Sequence, residues 1–417
     1  MYDLELMVDP LYEMVPSPVF GCSMLLFFFL IRFLKVFSHP DTPRVYTKET
    51  EDPKSPSIFQ ILRNCPILKE KYNPPTLWGR NGHLQTAVYG VLGHSSLKRS
   101  FDKRHTVKLS DGTTVSFDVF EPTKPHPSGE DYTMALCPGI CNHSESNYIR
   151  TCVHNAQENG YRCAVLNHLG ALANIPVTSP RLFSYGNTAE LSAMMDTLAQ
   201  VYPQTRFIQI GFSMGANITT LYLFRAPEEI KKRIIIGLSV CQGYDAERSG
   251  HLFHDWECGR RVYNYIITEN VKRLLRRNFD AVVAPHIKSG IVDEQRLFAA
   301  TSVLGLDEHY TRRILGYNSV QDMYKDASSF DKIPRITVPT VFINAADDPL
   351  FPQQLWQPVR DVCSESSKHA FVLMKHGGHL GFLEGWSVKP SSVTWLDKFI
   401  VQLANSATQT LGGVVEN

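Results

Sequence analysis

The residues best suited to chemistry lie at three widely separated places. They are Ser213 within Gly211-Phe212-Ser213-Met214-Gly215, the doublet Asp347-Asp348 before Pro349, and His376-Gly377-Gly378-His379. A serine hydroxyl is a poor nucleophile at neutral pH and needs an imidazole to take its proton, which in turn needs a carboxylate to orient it. Here serine, acid and histidine follow one another in that order. Each comes just after a short apolar run that reads as a strand, at residues 206–210, 341–344 and 371–373. The pattern predicts acyl transfer, with Ser213 attacking a carbonyl, His379 as base and Asp348 as orienting acid. The doublet leaves Asp347 as the alternative acid. His379 is preferred to His376 because it follows the Gly-Gly turn, and His376 is expected to be a structural neighbour bonded to backbone. Glycine two residues either side of the serine lets strand and helix backbones approach closely around a sharp turn.

Attack on a carbonyl also places negative charge on its oxygen, which converging N–H donors must stabilise. One donor is expected to be the N–H of Met214. The other should come from the loop after the run at 133–137, where Ile140 is chosen and Cys141 is the alternative. His126 and Asp131 match an HxxxxD spacing found in some acyltransferases, but their polar loop with Pro and Gly makes chance the better reading.

These residues need a scaffold. Residues 107–109 and Thr114–Phe120 flank Asp111-Gly112 and read as a hairpin. The apolar runs at 133–137, 162–166, 206–210, Ile234–Val240 and 340–344 alternate with helical stretches. That rhythm predicts an α/β fold, a mostly parallel sheet with helices on both faces. Residues 242–334 break it with a helical pattern, expected to be a lid over a lipid-binding cleft. Its basic segment from Lys272 to Arg277 could meet anionic headgroups, although a solvated helix face is the ordinary reading of a charge run. The expected organisation is a lead-in segment at 38–104 and one catalytic domain at 105–417.

Apolar residues at 43% and charged residues at 20% describe a globular chain. Forty-two basic against 41 acidic side chains leave nothing to steer it to nucleic acid. Nine cysteines without dense, even spacing are expected to be mostly buried small hydrophobes, with one disulfide left open. CxxC, HExxH, Walker A and GxGxxG patterns are all missing, so neither metal nor nucleotide cofactor is expected.

After an acidic tail at 1–13, residues 14–37 contain an uncharged run from Met14 to Ile31, closed by Arg32 and Lys35. Its length predicts one transmembrane anchor. A cleaved signal peptide fits less well, because Asp3, Glu5, Asp9 and Glu13 stand where a basic region should be. The positive residues after the run favour a cytosolic catalytic domain, whereas the Asn142-His143-Ser144 sequon would matter only on the other side.

From Phe59 to Ala404 the chain resembles the AB-hydrolase subfamily of single-pass membrane lipases. The resemblance is carried by Pro74-Pro75-Thr76-Leu77-Trp78-Gly79, Gly82-His83-Leu84-Gln85-Thr86, residues 160–170, Ser179-Pro180-Arg181, residues 344–350 and residues 376–382. It implies the α/β-hydrolase fold, cleavage of acylglycerols including 2-arachidonoylglycerol, and the triad Ser213, Asp348 and His379. It also implies a type II topology, against the charge count, and a steroid regulator for which no surface can be identified in the sequence. Ala216 stands where close relatives usually have glycine. The same serine could serve a phospholipase or acyltransferase. A non-catalytic lipid or steroid receptor of this fold is the reading from another class, and it would be expected to lack a triad member.

Overall fold

The computed structural model describes residues 18–50, 57–92 and 100–411. Nine strands among them are β1 (Arg44–Tyr46), β2 (Lys103–Lys108), β3 (Thr114–Phe120), β4 (Tyr132–Cys137), β5 (Arg162–Asn167), β6 (Arg206–Phe212), β7 (Ile234–Val240), β8 (Thr340–Ala345) and β9 (His369–Met374). They form one sheet in the order β1-β9-β8-β7-β6-β4-β5-β3-β2. Strands β4 to β9 run parallel, and β1, β2 and β3 pair antiparallel at the two edges. Such a sheet is apolar on both sides, and β4, β7, β8 and β9 are buried throughout.

Two apolar layers cover it. On one face, Ile149 and Cys152 of α4 (Asn147–Gln157) and Trp395 and Phe399 of the C-terminal helix Trp395–Leu411 pack on Ile208, Val341 and Val372. The lead-in segment joins this layer through Ile58, Ile61 and Leu62 of α2 (Ile58–Arg63). On the other face, Leu191 and Leu198 of α5 (Ala189–Val201) and Ile218 and Tyr222 of α6 (Met214–Arg225) pack on Phe117, Ala164 and Phe207. The protein is thus an α/β-hydrolase fold. Between β7 and β8 the described chain is helical and turns, without a strand.

The reading of a single-pass membrane protein is overturned. No helix among the described residues is long and apolar enough to cross a membrane. The helix α1 spans Pro18–Phe33, 16 residues, or about 24 Å at the usual rise, against a hydrocarbon core of about 30 Å. The apolar sequence continues to Phe37, but the helix does not, because Lys35 takes a positive φ of 53°. The chain there is held by the body: Arg80 donates to the Val36 carbonyl, and Asn81 Nδ2 donates to the Phe33 carbonyl at 2.5 Å. The tail at 1–13 and residues 14–17 of the expected anchor lie outside the described residues.

Candidate active site

Ser213 occupies the turn between β6 and α6 at φ 54° and ψ −117°, a conformation that costs a non-glycine residue energy. Two neighbours hold it there. Its N–H donates to the Val240 carbonyl at 2.8 Å, tying the turn to β7. Gly215 lies so close to β4 that a Cβ would come within 2.1 Å of the Cys137 carbonyl oxygen. The elbow therefore needs glycine at 215 for close approach, as its position in the pattern suggests.

The structure brings Ser213, His379 and Asp348 together from three strand ends. His379 Nε2 is 2.9 Å from Ser213 Oγ, and its Nδ1 is 2.9 Å from Asp348 Oδ2. All three are buried. The other oxygen of Asp348 accepts the N–H groups of Leu350 and Phe351 at 2.8 and 3.2 Å, so the carboxylate is fixed by its own turn. Asp347 faces away and accepts the Gly378 N–H at 2.9 Å. Among the described residues His376 bonds no backbone group, contrary to expectation. Its Nε2 lies 2.9 Å from the Ser38 hydroxyl and its Nδ1 is 3.5 Å from Asp347 Oδ2.

Residues from the lead-in segment, which sequence reasoning assigned no role, hold the histidine loop. In α3 (Gly82–Leu92), the Thr86 hydroxyl donates to the Gly82 carbonyl at 2.7 Å and accepts the His379 N–H at 2.8 Å. The buried Gln85 amide donates to Tyr72, Gly79 and Leu383, and its oxygen accepts the Leu383 N–H. Gly378 has a φ of 57° and passes so near α3 that a Cβ would lie 2.4 Å from the Gly82 carbonyl oxygen. The signal for these contacts was the Gly82-His83-Leu84-Gln85-Thr86 block, whose residue types alone did not reveal what it touches.

Ile140 and Met214 line one cavity, and among the described residues neither backbone N–H is engaged in a hydrogen bond. The loop carrying Ile140 is held from both sides. The Gly139 N–H donates to the Tyr148 hydroxyl at 2.8 Å, and His168 Nε2 is 2.8 Å from the Pro138 carbonyl. Burial holds the His168 imidazole neutral, its pKa lowered to about 4. A neutral ring with its proton on Nε2 donates to that carbonyl. Asn142, in the sequon, spends its side chain on the Ile140 carbonyl and the Ser146 hydroxyl.

The cavity spans about 770 Å³ of empty space, part of it open to solvent. Ile140 and Met214 form part of its wall together with Phe351, whose ring centroid is 5.3 Å from that of His379. Much of the remaining wall comes from residues between β7 and β8, including Phe253, Val271, Val303 and Leu306. Cys241, at the end of β7, has its sulfur within 4.8 Å of ligand atoms of Asp348 and His379, but burial and then the Asp348 charge push its thiol pKa well up. All nine cysteines are free, which closes the disulfide question.

His126 and Asp131 lie by the starting ends of β4 and β5. His126 bonds Ser128 and packs on Tyr132 at the start of β4, and Asp131 pairs with Arg162 at the start of β5. The triad-like cluster sits beyond the other ends of the parallel strands, so these two residues take no part in it.

Residues 132–274 match the alpha/beta hydrolase fold family. Over 384 residues, 91% of this chain and 89% of the relative, the protein is 41% identical to the mouse protein Monoacylglycerol lipase ABHD2. It is 40% identical to the Drosophila melanogaster Abhydrolase domain-containing protein 2 over 90% of this chain and 93% of that one. The human protein Phospholipase ABHD3 is 26% identical over 85% of this chain and 83% of its own. Together with the hydrolase fold and the serine elbow, these matches show that the chain belongs to the α/β-hydrolase family, in the group of the monoacylglycerol lipases ABHD2.

Proposed function

We propose that the protein hydrolyses lipid carboxylic esters, monoacylglycerols foremost, using Ser213 as nucleophile, His379 as general base and acid, and Asp348 as orienting carboxylate. The observation that carries this reading is the unbroken hydrogen-bonded chain through the His379 ring, 2.9 Å to Ser213 Oγ on one side and 2.9 Å to Asp348 Oδ2 on the other. His379 Nε2 takes the hydroxyl proton as Oγ bonds to the carbonyl carbon, and Asp348 holds the Nδ1–H and stabilises the imidazolium. The N–H groups of Met214 and Ile140 receive the oxyanion. The glycerol oxygen leaves with the proton from Nε2, and water then releases the fatty acid by the same steps in reverse order of roles. The helical segment between β7 and β8 acts as a lid whose apolar residues hold the acyl chain.

Relatives named as lipases support the lipid ester as substrate. A phospholipase is the second reading, favoured by the similarity to Phospholipase ABHD3. Incubation with monoacylglycerol and with phospholipid, followed by product analysis, separates them. A fluorophosphonate probe tests the nucleophile itself. Wild type labels and Ser213→Ala does not, whereas equal labelling of both refutes the assignment.

A further inference from the structure

Asp307 is a half-buried carboxyl for which the reaction above has no use. It lies in the helical turn Asp307–Thr311 of the segment between β7 and β8, in the wall of the cavity that Met214 and Ile140 also line. The Tyr324 hydroxyl donates to its Oδ2 at 2.7 Å, and Thr311 supplies a second hydrogen bond. Among the described residues no cation offsets it, and desolvation raises its pKa to about 6. At neutral pH it is therefore mostly a carboxylate. Beside it the wall is formed by the apolar side chains of Val303 and Leu306. Two other polar atoms of this wall, Ser249 Oγ and Tyr185 Oη, are buried without a hydrogen bond.

A half-buried carboxylate without a cation keeps the capacity to accept further hydrogen bonds, and an unpaired buried hydroxyl is costly to the fold. A carboxylate with spare acceptor capacity and an unpaired hydroxyl in the wall of a largely apolar cavity fit a ligand that brings hydroxyl groups. We propose that Asp307 and Ser249 bind the free hydroxyls of the substrate's alcohol moiety and so select glyceryl esters over esters of apolar alcohols. The proposal rests on the lipase reading above. Asp307 accepts a hydrogen bond from a hydroxyl, and Ser249 can donate or accept, which suits a diol. An ester lacking hydroxyls leaves Ser249 unpaired and the spare acceptor capacity of Asp307 unused, and sites built around a hydroxyl discriminate strongly against analogues without one.

The test compares 1-oleoylglycerol with methyl oleate, which share an acyl chain and differ in the hydroxyls. For Asp307→Asn the ratio of kcat/KM values, glyceryl over methyl ester, is expected to fall ~10-fold or more, as for loss of a hydrogen bond to a charged group. The methyl oleate value should stay within about 2-fold in a site left otherwise intact. Ser249→Ala should move the ratio in the same direction by less. Because Asp307→Asn removes a partly desolvated charge with no cation beside it, its melting temperature should match or exceed that of wild type, which keeps the variant testable. An unchanged ratio in both folded variants, or an equal fall on both esters, overturns the proposal and leaves the lipase reading standing. Wild type that labels with fluorophosphonate but cleaves neither ester overturns the lipase reading and this assignment with it.

Discussion

The Thr86 hydroxyl accepts the backbone N–H of His379 at 2.8 Å, tying the histidine loop to a helix almost 300 positions earlier in the chain. Without that acceptor a nearly buried N–H loses its partner, at a cost of about 1–3 kcal/mol, and the loop carrying the imidazole is freed to shift. Thr86→Val should lower kcat ~10-fold, since small misplacements of a catalytic group are expensive. Thr86→Ser, which keeps the oxygen, should retain most of the activity. Equal activity of Thr86→Val and wild type on one ester would show that the contact does not position His379.

The aspartate doublet divides its work between two histidines, and substitution should expose the division. Asp348→Asn removes the carboxylate facing His379 Nδ1 and should reduce kcat about 10³–10⁴-fold through loss of the correct tautomer. Asp347→Asn can still accept the Gly378 N–H and should cost less than ~10-fold. Steady-state rates of the two purified variants check this, and the reverse ranking would reassign the acid.

Acid stability should carry the signature of His168. Its pKa is lowered from 6.5 to about 4 in the folded protein by burial, so between those values the unfolded chain binds more protons. Stability is intact above pH 6.5 and falls as pH drops toward 4, by about 3 kcal/mol from this group at ~1.4 kcal/mol per pH unit. His369, also lowered to about 4, acts in the same window. Urea unfolding of His168→Gln between pH 7 and 4 should show a shallower loss than wild type. An identical slope would mean that His168 is not held neutral.

The central strands were legible because each is a short apolar run buried on both faces, and β7 was read to the residue. The edges were not. Three-residue β1 is a strand only through its antiparallel pairing of Arg44 with Leu373 and Tyr46 with Phe371. The charged alternation Lys103-Arg104-His105 concealed the first half of β2. Order and context singled out Ser213, the Asp347-Asp348 doublet and His379, but which carboxylate faces the imidazole depends on the turn that anchors Asp348 to Leu350 and Phe351. Thr86, Gln85 and His168 escaped notice because their roles are contacts between distant segments, without a local pattern. The N-terminal apolar run misled for a related reason: hydropathy extends to Phe37, whereas contacts with Arg80 and Asn81 accompany the end of the helix at Phe33.

The central claim is that Ser213 cleaves a monoacylglycerol ester. Its most direct test is the release of oleate from 1-oleoylglycerol by wild type and by Ser213→Ala, purified side by side and matched by melting temperature. Wild type should release oleate with a kcat at least about three orders of magnitude above that of Ser213→Ala, the typical loss for a triad nucleophile. Comparable release by both folded proteins would contradict the account.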